Sequence, residues 1–330
     1  MAPVEMSEII TKQNRIQDDC RTAVSQNKFC AVPHAVINTS QFATDSTSAS
    51  MEHFNIDSYT PKQIAERIEK ASVSKSTQDP SRIFVLALLA GAFIAFGAAF
   101  FTFVIHDSTL GQGITKLLGG LVFCLGLILV VVAGAELFTG NNLLVMACVD
   151  KKITLKQLMS NWAIVFAGNF IGCLAIAVLI YLSGHWGSES ARVGAKALMI
   201  ANAKVNLPFV QALARGILCN ALVCMAVWLC FAGHSSTDKL LSILFPITAF
   251  VTLGFEHSVA NMYFIPAGLL IKSDPQLMAS LQPLLPAGTD LSQLTLSGFL
   301  LDNLLPVTVG NIIGGSFFVG MIYWYIYLRR

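Results

Sequence analysis

Charged side chains are scarce: Asp, Glu, Lys and Arg make up 12% of the 330 residues, where a soluble globular protein carries about 25%. The few charges are also uneven, since residues 1–82 hold 9 Lys/Arg and 10 Asp/Glu and the remaining three quarters of the chain hold barely more. A net charge of +2 provides no basic field and excludes a nucleic-acid partner. Residues 1–50 contain no apolar core of the signal-peptide kind. The 8 cysteines form no CxxC or Cys/His ligand spacing. Cys20 and Cys30 lie in the polar head and the other six in apolar runs, where thiols act as small hydrophobes. No metal site and no cofactor are therefore expected. Apolar residues, by contrast, are abundant, at 55% with a mean hydropathy of +0.66. Together these counts describe a multi-pass membrane protein with a soluble N-terminal segment.

Three regions follow. Residues 1–50, rich in Ser, Thr, Asn and Gln with no period, read as a disordered extension, and the ordered protein is expected to begin near Met51. Residues 51–82 form a cytoplasmic segment. Within it Thr60-Pro61 signals a helix start, and Ile64, Ala65, Ile68 and Ala71 recur at helical spacing against Lys62, Glu66, Arg67, Glu69 and Lys70. This amphipathic helix has three open placements: on the membrane surface, plugging a cytoplasmic mouth, or packed on the first span. A cytosolic partner at this helix is a further expectation. Residues 83–330 form a six-span transmembrane domain, with apolar runs at 83–105, 117–149, 158–183, 209–231, 240–271 and 303–328. Each covers the ~30 Å hydrocarbon core that about 20 helical residues span. Runs two and five are long and carry Gly, Glu and Asn near their middles, as a broken helix does. With both termini inside, eleven Lys/Arg lie on the inner side against six outside, which orients the chain N-in and C-in.

The sequence also repeats itself. Gly134-Ala135-Glu136 with Asn141 matches Gly254-Phe255-Glu256 with Asn261, as G-x-E-x4-N. Gly168-Asn169-Phe170-Ile171-Gly172 matches Gly310-Asn311-Ile312-Ile313-Gly314, as G-N-x-I-G. Two matches in the same order make spans 1–3 and 4–6 related halves. Three spans per half is odd, so the halves insert with opposite topology, and paired broken helices place a permeation site near the midplane. Irregular backbone there must line a buried or watery path, and half-helix N-termini suit an anion or a polarised neutral solute. Glu136 and Glu256 are the only carboxylates inside the breaks, and two roles are open to them: tying loop N–H groups together or taking part in conduction. His257 is the only histidine inside an apolar run and therefore a functional candidate, with Glu256 placed to hold its ring or set its charge.

GAELFTGNNL (134–143), GFEHSVANM (254–262), NW-x3-FAGNFIG (161–172), DNLLPVTVGNIIGG (302–315) and the tail YWYIYLRR resemble the formate/nitrite transporter family, its formate-channel branch in particular, over roughly residues 60–330. The resemblance implies an all-α, aquaporin-like inverted repeat without an Asn-Pro-Ala box, with broken helices 2 and 5, in a homopentamer with a pore through each protomer of the cytoplasmic (inner) membrane. It also implies that Thr139 and His257 face each other at the pore centre. Leu137, Leu127 and Val223 would narrow the inner side, and Phe123 and Phe250 the outer. Asn220 would line the pore near His257, Asn311 would lie near the His257–Glu256 pair, and Lys204 would draw anions to the outer mouth.

An unpaired anion at a Leu/Phe ring costs several kcal/mol. Formate would therefore keep partial solvation from helix N-termini, Thr139, Asn220 and His257, or take a proton and cross as the neutral acid. Nitrite and hydrosulfide are alternative substrates of the same pore, and a proton- or sodium-coupled transporter is an alternative mechanism. An intramembrane enzyme built on Glu136, Glu256 and His257 is disfavoured, because no Ser–His or HExxH arrangement occurs and the polar set falls in duplicated breaks. Formate or a related anion, protons and membrane lipid are the expected partners.

Overall fold

The computed structural model describes residues 58–329; the extension expected over 1–50 and the start of the 51–82 segment lie outside the described residues. Among the described residues the chain is helical and has no strand. Helix α1 spans Pro61–Ser76 and starts where Thr60-Pro61 predicts: the Thr60 hydroxyl accepts from Gln63 N–H while the Gln63 side chain accepts from Thr60 N–H. Ile64, Ala65 and Ile68 are buried as their spacing requires. Two expectations change. Glu69, placed on the polar face by its chemistry, is buried and bound to Lys152 at 2.5 Å. The helix also packs on the segment around Leu143 and Met146 and on Trp228, not on the first span.

Among the described residues five helices are long and apolar enough to cross a membrane: α2 (Pro80–Ile105), α3 (Gln112–Ala133), α5 (Leu155–Leu182), α7 (Phe209–Ala232) and α11 (Gly298–Tyr327). The last contains the π-helical stretches Gly298–Leu304 and Ile313–Met321. The second apolar run continues beyond α3 through a non-helical stretch into a tight turn of helix, Gly140–Leu144, and the short α4, Val145–Val149. The fifth run is divided into α8 (Ser236–Thr252) and α9 (Ser258–Ser273). Helices α6 (Arg192–Val205) and α10 (Pro275–Leu281) lie in the connections. Helix α6 was not legible, since it is short and no side chain caps its start.

The interruptions have a local cause. Gly134 and Gly254 end α3 and follow α8 at φ 80° and 72°, a left-handed conformation that glycine adopts without a Cβ penalty. Close helix approach has one too. A Cβ on Gly172 would stand 2.0 Å from Leu88 O, and one on Gly314 2.1 Å from Ile217 O. The last glycine of each G-N-x-I-G motif thus lets α5 touch α2 and α11 touch α7, which brings the preceding asparagine against the interrupted backbone.

Candidate functional site

Around each interruption stands the same set of bonds. Asn169 Nδ2 donates to Ala87 O (2.7 Å) and Glu136 O (2.9 Å), and its Oδ1 accepts from Phe138 N–H (2.9 Å). Asn311 Nδ2 donates to Gly216 O (2.8 Å) and Glu256 O (3.0 Å), and its Oδ1 accepts from Ser258 N–H (2.9 Å). Both asparagines are fully buried. Each Glu in turn accepts from the Asn five residues on: Asn141 to Glu136 at 2.7 Å, Asn261 to Glu256 at 2.7 Å. Each also meets a lysine, Lys75 from α1 at 3.1 Å for Glu136 and Lys204 from α6 at 2.9 Å for Glu256. A second asparagine completes each set, as Asn141 donates to Asn161 and Asn261 to Asn303.

These contacts correct three sequence readings. The carboxylates do not tie loop N–H groups; Asn169 and Asn311 do, and the carboxylates bind Lys and Asn side chains. Glu256 does not hold the His257 ring, because its oxygens are taken by Lys204, Asn261 and Asn303. Lys204 lies on a helix, is 15% exposed, and spends its charge on Glu256. Lys75 and the pair Asn161 and Asn303 escaped notice as site residues. The asparagine signal was present, since Asn161 and Asn303 each precede the motif asparagine by eight residues. Nothing in the sequence connected Lys75 to Glu136.

Where the two halves differ, the site appears. His257 occupies in the second break the place that Leu137 holds in the first, and Thr139 has Val259 as its counterpart. The interruptions meet there: Thr139 Oγ1 lies 2.9 Å from His257 Nε2, and both residues are buried. His257 caps α9, its Nδ1 accepting from Ala260 N–H at 3.1 Å. With Nδ1 occupied as an acceptor, the neutral ring carries its proton on Nε2 and donates it to Thr139. Asn220 Nδ2 donates to Thr139 O (3.2 Å) and to Asn311 O (2.7 Å), tying the first break to the α11 backbone at Asn311, and Cys224 Sγ also donates to Thr139 O. On one side of this centre Phe123 and Phe250 stand edge to face, centroids 5.7 Å apart, with Phe250 5.9 Å from the His257 ring. Leu127 and Leu137 are among the residues that line a cavity of about 280 Å³. Val223 is buried and does not line that cavity. Among the described residues no group of three or more His, Cys, Asp or Glu side chains is arranged to hold a metal.

Apolar helices of membrane-spanning length around a buried polar pair between two interrupted helices define a multi-pass membrane transport protein. The chain belongs to the formate/nitrite transporter family, whose profile, Formate/nitrite transporter, matches residues 62–325. It is 42% identical over 277 residues to "Formate channel FocA" of Escherichia coli (strain K12), covering 83% of this chain and 96% of that one. It is 36% identical over 281 residues to "Formate channel BtFdhC" of Bacillus thuringiensis, covering 82% and 97%. The solved "Pentameric formate channel with formate bound" superposes with a TM-score of 0.67 at 37% identity, over 76% of this chain and 98% of that one.

Proposed function

We propose that the protein is a homopentameric channel passing formate through each protomer of the cytoplasmic membrane, with both termini cytoplasmic. In this reading six spans form an inverted repeat, α3–α4 and α8–α9 being its two broken members. The observation that carries it is the Thr139–His257 hydrogen bond, made only where the two halves depart from their symmetry. The relatives named as formate channels support formate as the substrate, and the solved relative, a pentameric formate channel, supports the assembly.

The chemistry follows from the geometry. Leu127 and Leu137 on the inner side and Phe123 and Phe250 on the outer exclude hydrated cations. Val223 packs behind the inner constriction. Between these layers a small anion finds the Thr139 hydroxyl and the His257 Nε2–H, with Asn220 and Asn311 holding both breaks in place. Formate displaces Thr139 from Nε2 and accepts that proton as a hydrogen bond or takes it outright. The buried Glu136 and Glu256 would repel it, and Lys75 and Lys204 neutralise them. Lys204 thus serves the path by cancelling the Glu256 carboxylate.

Formate flux into proteoliposomes, measured across pH for wild type, His257→Asn and Thr139→Val, tests this. Loss of the pH dependence in His257→Asn and an altered flux in Thr139→Val are expected. Wild-type pH dependence in His257→Asn would remove the ring from the proton step. Absence of formate flux in the wild type, with nitrite or hydrosulfide flux present, would reassign the substrate.

A further inference from the structure

Phe123 and Phe250 belong to a longer chain of rings. Phe101 on α2 meets Phe123 edge to face, centroids 6.4 Å apart at 87°, and meets Phe264 on α9 in the same way, 5.8 Å apart at 74°. Phe123 in turn meets Phe250 at 5.7 Å and 88°. The far end of the chain is also held, since the Lys204 ammonium lies 5.2 Å from the centroid of Phe264. Phe123, Phe250 and Phe264 are buried, and Phe101 is partly buried against them. A glycine makes the seat of Phe101. A Cβ on Gly119 would stand 2.7 Å from Phe101 Cε2, and Gly119 lies one helical turn before Phe123 on the same face of α3.

The repeated fold does not require these rings. The match of Gly134 with Gly254 aligns Phe123 with Ile243, Phe250 with Val130 and Phe264 with Leu144. Two equivalent backbone bonds, Glu136 N–H to Leu86 O and Glu256 N–H to Arg215 O, align α2 with α7, and that register sets Phe101 against Cys230. Every one of the four rings has a non-aromatic counterpart, so one end of the path carries an aromatic cluster that the same backbone frame lacks at its other copy.

We infer that Phe101 is a specificity-determining residue, which acts by positioning: it braces the Phe123 ring against Phe250 and so sets which carboxylates the outer constriction passes. The inference rests on the formate-channel reading and adds a size filter to it. A carboxylate one carbon longer than formate needs Phe123 to turn aside. Ring edges are electropositive and ring faces electronegative, so turning Phe123 gives up its edge-to-face contact with Phe101. Formate, the smallest carboxylate, makes the least demand on that contact.

The test is the ratio of acetate flux to formate flux into proteoliposomes of the purified full chain, at equal gradients and one pH. Phe101→Leu and Phe101→Met remove the ring and keep an apolar side chain. Each is expected to raise the ratio about two- to tenfold, the Boltzmann factor of one aromatic pair, and either variant suffices should the other fail to assemble. Phe101→Tyr keeps the ring and should hold the wild-type ratio, as should Cys230→Ala at the equivalent place in the other half. A wild-type ratio in the Leu and Met variants, with formate flux present, would overturn the inference and leave the channel reading intact. An equal rise in Phe101→Tyr or Cys230→Ala would mark general loosening and overturn it as well. Wild-type protein that carries no formate at all would overturn the channel reading instead.

Discussion

Asn311→Ala removes more than one side chain's packing. Asn311 satisfies three backbone groups, Gly216 O, Glu256 O and Ser258 N–H, in a place where no water reaches. A buried group left without a partner costs about 1–3 kcal/mol in soluble proteins, while hydrogen bonds between membrane helices average nearer 0.6 kcal/mol because the unfolded segment finds other partners. Three groups therefore put the loss at about 2–9 kcal/mol, nearer the lower end if the membrane figure applies. The matched bonds of Asn169 predict the same loss for Asn169→Ala, to within about 1 kcal/mol, which is typical scatter for comparable hydrogen bonds. The assay is thermal unfolding of the detergent-solubilised assembly, followed by size-exclusion chromatography. Both variants should melt well below wild type and by similar amounts. An Asn311→Ala protein that melts with wild type would refute the account of the asparagines as ties of the breaks. A large difference between the two Ala variants would refute the equivalence of the halves.

Other outcomes follow from single contacts. Gly172→Ala and Gly314→Ala each drive a Cβ into a backbone carbonyl, a clash at the upper end of the overpacking range, about 3 kcal/mol; yield of assembled protein should fall sharply, whereas Gly111→Ala, which meets nothing within 4 Å, should behave as wild type. Lys204→Met strands the buried Glu256 at a cost of about 3 kcal/mol. Lys75→Met should cost nearer 1 kcal/mol, because Lys75 is 31% exposed and solvent screens its pair; the two melting curves compare them. The Glu69 carboxyl on α1 is pushed up by burial, against the pull of its hydrogen bond from Lys152. As pH rises through the usual carboxylate range the released helix ionises first, so docking of α1 is strongest in acid and weakens upward from there. Pulsed proteolysis of α1 across that range should show this trend, and Glu69→Gln should flatten it.

Much of this protein could be read without coordinates, and the particulars show why. The apolar runs at 83–105, 158–183 and 209–231 coincide with α2, α5 and α7 to within three residues, since about 20 successive apolar residues have one stable state in a bilayer. The interruptions were marked by Gly134 and Gly254, where backbone and residue type are coupled locally. Glu69 misled for the opposite reason: helical periodicity assigned it to water, and only Lys152, 83 residues away, made its burial tolerable. Lys75 counted as an orienting charge until α1 laid it on Glu136.

The sequence by itself determined the membrane class, the apolar runs that become α2, α5 and α7, and the duplication, and it singled out His257 as a candidate. All of these are written in hydropathy and spacing along the chain. Only the tertiary structure decided what each polar residue touches: that Asn169 and Asn311 tie the breaks, that the lysines cancel the carboxylates, and that Thr139 meets His257 across 118 residues. Such pairings come from glycine-permitted helix contact, which sets distances that no local pattern encodes.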